Sequence, residues 1–280
     1  MAVINTNVNA LIARNAGTVN DRSLTNAMQQ LSTGKRINSA ADDAAGLAIS
    51  NKMTSAIRGL DQAVRNANDS ISMLQVAEGA TVEMTNMLQR MRELAVASAS
   101  DTNGSAERSY LNDEFTALQA EIDRIGGNTQ WNGTNLTDGT IGNGSGAVTF
   151  QVGANASQTI GFTFNELKSD TATGKMSAIS GDSISVQTAA NAAISNLDSA
   201  IKALNGERSS MGAMINRLTY AADSLANTSV NQAAARSRIL DADYASTTTE
   251  LARTQIIQQA STAMLAQANQ QAQSVLSLLK

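Results

Sequence analysis

Apolar residues recur along residues 53–95 on steps of four and three, and no proline interrupts them. Met53, Ile57, Leu60, Val64, Ala67, Ile71 and Leu74 follow the 3.5-residue period of a coiled-coil seam. The steps shorten to three and three through Ala77 and Ala80, around Gly79, and the pattern resumes at Met84, Leu88, Met91 and Ala95. A three-residue slip of this kind predicts a locally overwound helix. A helix over 44–99 would be ~84 Å long at 1.5 Å per residue. Such a rod cannot cover its own seam. Two further segments offer the same period: Leu111, Phe115, Leu118, Ile122 and Ile125, closed by Gly126-Gly127, and Ile194, Leu197, Ile201, Leu204, Met211, Ile215, Leu218, Ala222 and Leu225. Arg208 falls on the latter seam and is expected to weaken or specialise its layer. The helices over 44–99, 105–125 and 190–230 therefore read as one bundle.

The 280 residues allow one or two domains. With 3% aromatic residues, alanine, leucine, isoleucine and methionine at helical spacing must do most of the packing. Net charge is −4 and no basic run occurs, which speaks against nucleic acid as a partner. No stretch approaches ~18 consecutive apolar residues, so membrane insertion is not expected. Zero Cys removes disulfides and thiolate metal sites, and zero His removes the commonest general base and metal ligand. No cofactor or metal and no enzymatic activity are expected. Zero Pro, against an ordinary share of about 5%, favours unbroken helices and spares refolding slow X-Pro isomerisation. A chain delivered unfolded would benefit; a helical chain that merely avoids helix breakers accounts for the same fact. The start, Met-Ala-Val-Ile-Asn-Thr-Asn, has no basic n-region and no long apolar segment, unlike a secretory signal peptide.

From Asn128 to about Thr188 the composition turns to Gly, Thr, Ser and Asn. Val148, Phe150 and Val152 alternate, as do Ile160, Phe162 and Phe164. A β-hairpin about residue 156 would put both sets on one face. The fold class expected is mainly α: a long-helix coiled-coil bundle with a small β-hairpin region, both domains built from the N- and C-terminal chain halves. The bundle domain is 44–237 with its β-rich part at about 128–188. The other domain joins 1–43 to 238–280.

The two ends are themselves informative. Val8, Leu11, Ile12, Val19, Leu24, Met28 and Leu31 make an amphipathic first helix, which Gly34 stops. Ser39-Ala-Ala-Asp42 resembles a capping box before the next helix. Asp42-Asp43 could also be read as a carboxylate pair. A final helix from about Leu240 carries Tyr244, Leu251, Ile257, Met264, Ala268, Val275, Leu276 and Leu279. No side-chain charge precedes Arg14, and none lies between Arg253 and Lys280. Asn, Gln, Ser, Thr and Ala stand where a wet helix carries Lys and Glu. Such helices suit surroundings that cover them on most sides, because a buried unpaired charge costs several kcal/mol. Polymerisation with other copies would supply that cover; a low-charge hairpin within a monomer is the plainer alternative.

In these segments the chain resembles bacterial flagellin. Leu31-Ser-Thr-Gly-Lys-Arg-Ile-Asn-Ser-Ala40, running into Asp42-Asp-Ala-Ala-Gly-Leu-Ala-Ile-Ser50, is similar to the family's N-terminal signature. Leu88-Gln-Arg-Met-Arg-Glu-Leu94, Gln130-Trp-Asn-Gly133, Leu265-Ala-Gln-Ala-Asn-Gln270 and Val275-Leu-Ser-Leu-Leu279 follow in the family's order. The likeness covers roughly 1–140 and 185–280. Gln270-Gln-Ala-Gln273 replaces a segment that often carries Pro. The resemblance implies a structural subunit that polymerises with itself into the filament used for swimming. The terminal helices would line its core and the bundle would surround them, without the large outer domains of longer flagellins. It also implies type III export to an extracellular flagellum, an export chaperone on the C-terminal helix, and cap and hook-junction proteins as partners.

The resemblance further matches Gln89, Arg90, Leu94 and Glu114 to positions contacted by the vertebrate Toll-like flagellin receptor, a host innate receptor. Residues 30–50 resemble the segment sensed by plant receptors. By spacing, Arg90 and Leu94 share a stripe with Met87 and Ala97 beside the apolar seam. That face can equally serve subunit packing. Two rival readings are a hook–filament junction protein, which shares the end helices, and a signalling coiled coil such as a chemoreceptor hairpin. The latter predicts charged ends and membrane spans.

Overall fold

A computed structural model of the chain describes residues 6–169 and 174–277. It is mainly helical. The elements run α1 Val8–Thr33, α2 Ala44–Ala99, α3 Ser105–Asn128, β1 Gln130–Trp131, β2 Thr134–Asn135, α4 Ile141–Gly144, β3 Ala147–Gln151, β4 Thr159–Thr163, α5 Gln187–Leu240 and α6 Tyr244–Ser277. They form two compact units, one of 1–57 with 230–280 and one of 58–229.

In the 58–229 unit the α2 seam differs from the sequence expectation in an informative way. One row of its buried positions is Leu60, Ala63, Ala67, Ser70, Leu74, Ala77, Thr81, Met84, Leu88, Met91, Ala95 and Ser98, with Met73, Thr85 and Leu94 buried beside it. Steps of three and four alternate throughout, so there is no slip. The missing place is Thr81, fully buried at 0% exposure, whereas Ala80 is only half-buried. A threonine can sit there because its hydroxyl donates to the Glu78 carbonyl at 2.7 Å, leaving the methyl to pack. Ser70 does the same against Asn66 O at 2.6 Å. Ala63 and Ser70 also take places expected for Val64 and Ile71. Small residues at the centre with larger ones beside them let helices approach closely.

Helix α5 follows the same rule. Ala190, Ala193, Leu197, Ala200, Leu204, Glu207 and Met211 are buried, while Ile194 and Ile201 pack from the side. The polar layer expected at Arg208 belongs to Glu207, whose Oε1 accepts from Asn165 Nδ2 at 2.8 Å. Helix α5 also runs unbroken to Leu240; the expected break near 230 is absent, and the chain turns at 241–243.

Two clusters form the core. One joins Met84, Leu88, Met91 and Leu94 of α2 to Phe115 and Ile122 of α3 and to Leu197 and Leu204 of α5. The other joins Leu74 and Ala77 to Phe150, Ile160, Phe162 and Phe164 of the hairpin and to Met211 and Leu218. Strands β3 and β4 pair with Val148 opposite Phe162 and Phe150 opposite Ile160. The pairing centres on residue 155, one earlier than expected, and still gathers the apolar set on one face. A second, smaller hairpin pairs Trp131 with Thr134 across Asn132-Gly133, which hold φ of 49° and 77°. Positive φ at both central residues is what a two-residue turn of this twist demands.

The end of α2 is closed largely by side chains. Asn103 Nδ2 donates to Ala97 O at 2.6 Å, Arg108 Nε to Ser98 O at 2.9 Å, and Gln187 Nε2 to Ala99 O at 3.1 Å. Carbonyls at this helix end are thereby satisfied from the turn before α3, from α3 and from α5, which ties the three helices together here.

Candidate assembly surface

The 1–57/230–280 unit is organised around α1 and α6, which run antiparallel. Each helix start is capped by an acid or amide: Asn7 Oδ1 accepts from Ala10 N at 3.1 Å, and Asp243 Oδ1 from Ala245 N at 3.0 Å. Gly34 ends α1 at φ 68°, a left-handed conformation that glycine adopts without strain. The chain then clamps onto the turn between α5 and α6. Arg36 N donates to Leu240 O at 2.7 Å and Ala242 N to Gly34 O at 3.0 Å. The Arg36 guanidinium adds a bond to Ile239 O at 2.8 Å.

Helix α2 is capped by Asp43, whose Oδ1 accepts from Gly46 N at 2.8 Å, four residues after the Ser39 cap that a Ser39–Asp42 capping box would use. Asp42 instead closes the preceding turn. Its carboxylate accepts from Ser39 N at 2.8 Å, Asn38 N at 3.0 Å and Ser39 Oγ at 3.1 Å. These backbone bonds, that from Ser39 first, hold its pKa below the ordinary carboxylate value. The Asp42-Asp43 pair is thus accounted for by turn and cap. At Gly46 a Cβ would meet Asp43 Oδ2 at 2.4 Å and Ile37 Cδ1 at 2.7 Å, so a larger residue would have to displace the capping carboxylate and the buried Ile37 side chain.

What faces what across α1 and α6 departs from expectation. The positions turned inward on α1 are Ala10, Ala13, Gly17, Asn20, Leu24, Ala27 and Leu31. On α6 they are Thr247, Leu251, Thr254, Ser261, Leu265 and Ala268. Both rows keep the three-four period, and both consist mostly of small or polar residues. Asn20 and Thr254 are buried, and Asn20 Nδ2 donates to Thr254 O at 2.8 Å. Asn7 Nδ2 donates to Ala268 O at 3.1 Å, and Gln258 Nε2 to Asp21 Oδ1 at 3.0 Å.

Apart from Leu24, Leu31, Leu251 and Leu265, the large apolar residues of the two helices point away. Val8, Leu11, Ile12, Val19 and Met28 of α1 and Ile256, Ile257 and Met264 of α6 are all exposed, Ile12 and Met264 at 63% each. Among the residues expected to carry polymerisation, Leu31 and Leu251 alone of those described are half-buried in the hairpin. Leu279 lies outside the described residues, as do the side chains of Val275 and Leu276. A groove of about 570 Å³ runs between Ile12 and Val19 on one side and Arg253 and Ile257 on the other. A second, of about 780 Å³, lies among Ser23, Gln30, Asp243 and Glu250. An isolated hairpin with most of its large apolar side chains outside and mostly small or polar ones inside is inverted relative to a soluble protein.

A different set of residues meets on the 58–229 unit. Arg90 Nε donates to Glu114 Oε1 at 2.9 Å and its Nη1 to Glu93 Oε2 at 3.0 Å, joining α2 to α3. The hydrogen bond to Glu114, more than that to Glu93, holds the guanidinium pKa above its ordinary value. Gln89 and Glu114 are exposed. Leu94 is not: at 3% exposure it lies within the core beside Leu88 and Met91, rather than on a stripe next to it. The α2 seam is wide enough at this point to absorb both Leu94 and Ala95. An ion pair that periodicity did not reveal, Arg92 Nε to Asp198 Oδ1 at 2.7 Å, ties α2 to α5 on another face.

Among the described residues no group of three or more His, Cys, Asp or Glu could hold a metal, and no helix is long and apolar enough to cross a membrane. The family model of the bacterial flagellin N-terminal helical region matches residues 4–141, and that of the bacterial flagellin C-terminal helical region matches 194–279. A flagellin of Halalkalibacterium halodurans is 47% identical over 99% of this chain and 100% of its own length. The flagellar filament 33 kDa core protein of Treponema phagedenis is 42% identical over 99% and 100%. Among solved structures, Bacillus cereus flagellin matches at 29% identity and TM-score 0.49, over 61% of this chain and 94% of that one. With two family models in sequence and relatives matched end to end, the chain belongs to the bacterial flagellins, the structural subunits of the flagellar filament.

Proposed function

We propose that this chain polymerises with copies of itself through the outward face of its α1–α6 hairpin. The terminal domain of 1–43 with 238–280 would form the filament core and the 44–237 domain the surrounding wall. One observation carries the reading: Leu11, Ile12, Val19, Met28, Ile256 and Met264 are exposed on a hairpin whose own seam is filled mostly by small or polar residues. Covering a side chain of this size is worth ~1.5–3 kcal/mol, so six of them offer on the order of 10 kcal/mol per subunit. Only a neighbour presenting the same kind of face collects that. The hairpin's outer polar residues are amides and hydroxyls, which can bond between copies without the penalty of a buried charge. Deleting 254–280 removes Ile256 and Met264 from the face together with most of α6, and should leave a soluble helical chain that no longer sediments as polymer. Filament formation by that truncated chain, viewed by electron microscopy, would overturn the proposal.

Delivery follows the same logic. A chain with this apolar face needs a cytoplasmic chaperone on its C-terminal helix before unfolded type III export. Growth beneath a cap on a hook-junction base then places it on the extracellular flagellum. The absence of Cys and Pro from the sequence suits refolding after export.

Host recognition is a second reading, supported by Gln89, Arg90 and Glu114 on the α2–α3 face. Leu94 then contributes by holding the α2 backbone from beneath rather than by touching a receptor. The alternative reading is a hook–filament junction protein; the flagellin and filament core protein matched over their whole length support the filament subunit.

A further inference from the structure

The eleven methionines divide sharply between inside and outside. Met84, Met91 and Met176 are buried in one core cluster, and Met73 and Met211 in the other. Met53, Met87 and Met214 are half-buried, and Met1 lies outside the described residues. Among the described methionines only Met28 and Met264 are exposed, at 49% and 63%, and both stand on the outward face of the α1–α6 hairpin. The valines, leucines and isoleucines of that face are inert towards mild oxidants, whereas a thioether is not. With no cysteine in the chain, no thiol competes for the oxidant.

We propose that Met28 and Met264 are oxidation sites that switch the hairpin face from assembly-competent to assembly-blocked, with a peroxide as the oxidant. A lone pair on Sδ attacks one oxygen of the peroxide, and the O–O bond breaks as the S–O bond forms. The other oxygen takes up the proton and leaves as water. Sulfur loses two electrons and the peroxide gains them. The product sulfoxide is polar where the thioether was apolar. In a free subunit its oxygen stays in water. A neighbour that covers the face must strip that water away, which weakens the contact about tenfold or more. Burial supplies the selectivity, because the core methionines are screened and the 58–229 unit keeps its packing while the hairpin is modified. Polymerisation in turn covers both thioethers, so a filament resists the oxidant that disables a free subunit. Methionine sulfoxide is enzymatically reducible, so the switch is reversible. The block and the protection rest on the assembly reading, whereas which methionines oxidise first rests on exposure alone.

The test treats the full-length chain with hydrogen peroxide, both as monomer and as filament. Sulfoxide at each methionine is followed by peptide mass mapping over time. The critical concentration for polymerisation is read by sedimentation, each chain against its own untreated form. In monomers Met28 and Met264 should convert well ahead of Met73, Met84, Met91, Met176 and Met211. The critical concentration should rise about tenfold or more in step with that conversion, while the melt of the 58–229 unit stays parental. Methionine sulfoxide reductases specific for the two epimers should then restore assembly. In a chain carrying both Met28→Leu and Met264→Leu, peroxide should leave the critical concentration where it stood before treatment. Monomers oxidised at both positions that polymerise like the untreated chain would overturn the proposal. So would a peroxide-induced rise in the double-leucine chain as large as the parent's, which would assign the block to other methionines. Filaments in which Met28 and Met264 convert as fast as in monomers would show the face open in the polymer. That result removes the assembly reading and the switch with it, whereas protected filaments with unimpaired oxidised monomers would remove the switch alone.

Discussion

Arg90 and Leu94 stand one turn apart on α2 and lie on opposite sides of the surface. Arg90 is half-exposed and braced by Glu114 and Glu93, whereas Leu94 is packed among Leu88 and Met91. Their substitutions should therefore separate recognition from folding. Arg90→Ala opens no cavity, and its melting temperature should stay within roughly 2 °C of the parent. Its dose–response in a flagellin-receptor reporter assay should nevertheless shift about thirty-fold, as truncating an interface arginine does. Leu94→Ala removes a buried side chain and should cost ~3 kcal/mol, seen as a large drop in denaturant midpoint. An unchanged reporter response for Arg90→Ala with a parental melt would remove Arg90 from any recognition surface. Sequence spacing put these residues on one stripe because three- and four-residue neighbours do share a face. It could not show that the seam widens at Leu94-Ala95, since that depends on how Phe115 of α3 fills the opposite side.

At the level of elements, hydrophobic period located every long helix, and its misplaced seam positions on α2 and α5 share one cause. Thr81, Ser70 and Glu207 occupy seam places, and an apolar alphabet passes over them in favour of Ala80, Ile71 or a supposed irregularity at Arg208. A hydroxyl that bonds its own helix is invisible to that alphabet but packs like a methyl. Thr81→Lys should therefore cost several kcal/mol by burying an unpaired charge, while Ala80→Lys at the half-buried flank should cost under ~1 kcal/mol. Equal destabilisation of the two, measured by urea unfolding, would restore the slipped seam. The turn after α1 gives a pH test. Asp42 has a lower pKa folded than unfolded, so its contribution is complete above the unfolded value near 4. That contribution is lost as pH falls through the lower folded value. Hydrogen exchange at Asn38 and Ser39 should accelerate over that acid window relative to other capped turns. Asp42→Asn should abolish the difference, and an identical pH profile in the variant would assign the acid response elsewhere.

Over the whole molecule, the two chain ends were legible as a pair because both lack charge, and a missing charge is a property no single helix reveals. Their roles within the hairpin were not legible. Val8, Leu11, Ile12, Val19 and Met28 look like a core stripe in sequence, and in a single chain they are left outside. Periodicity finds a face but not the body that covers it. That ambiguity supplies the decisive prediction for assembly. Ile12→Asp and Met264→Asp place a charge on the exposed face, at two residues 63% exposed. A monomer pays almost nothing for an exposed carboxylate, so melting of the 58–229 unit and the helix content should match the parent. A polymer that covers this face must bury the charge in every subunit contact, at several kcal/mol each. Polymerisation followed by sedimentation should then fail at concentrations where the parent assembles completely. Two conservative controls, Ile12→Leu and Met264→Leu, keep the apolar surface and should assemble. Parental assembly by both aspartate variants would show that the large apolar residues are not the contact, and that the small-residue seam alone joins one copy to the next.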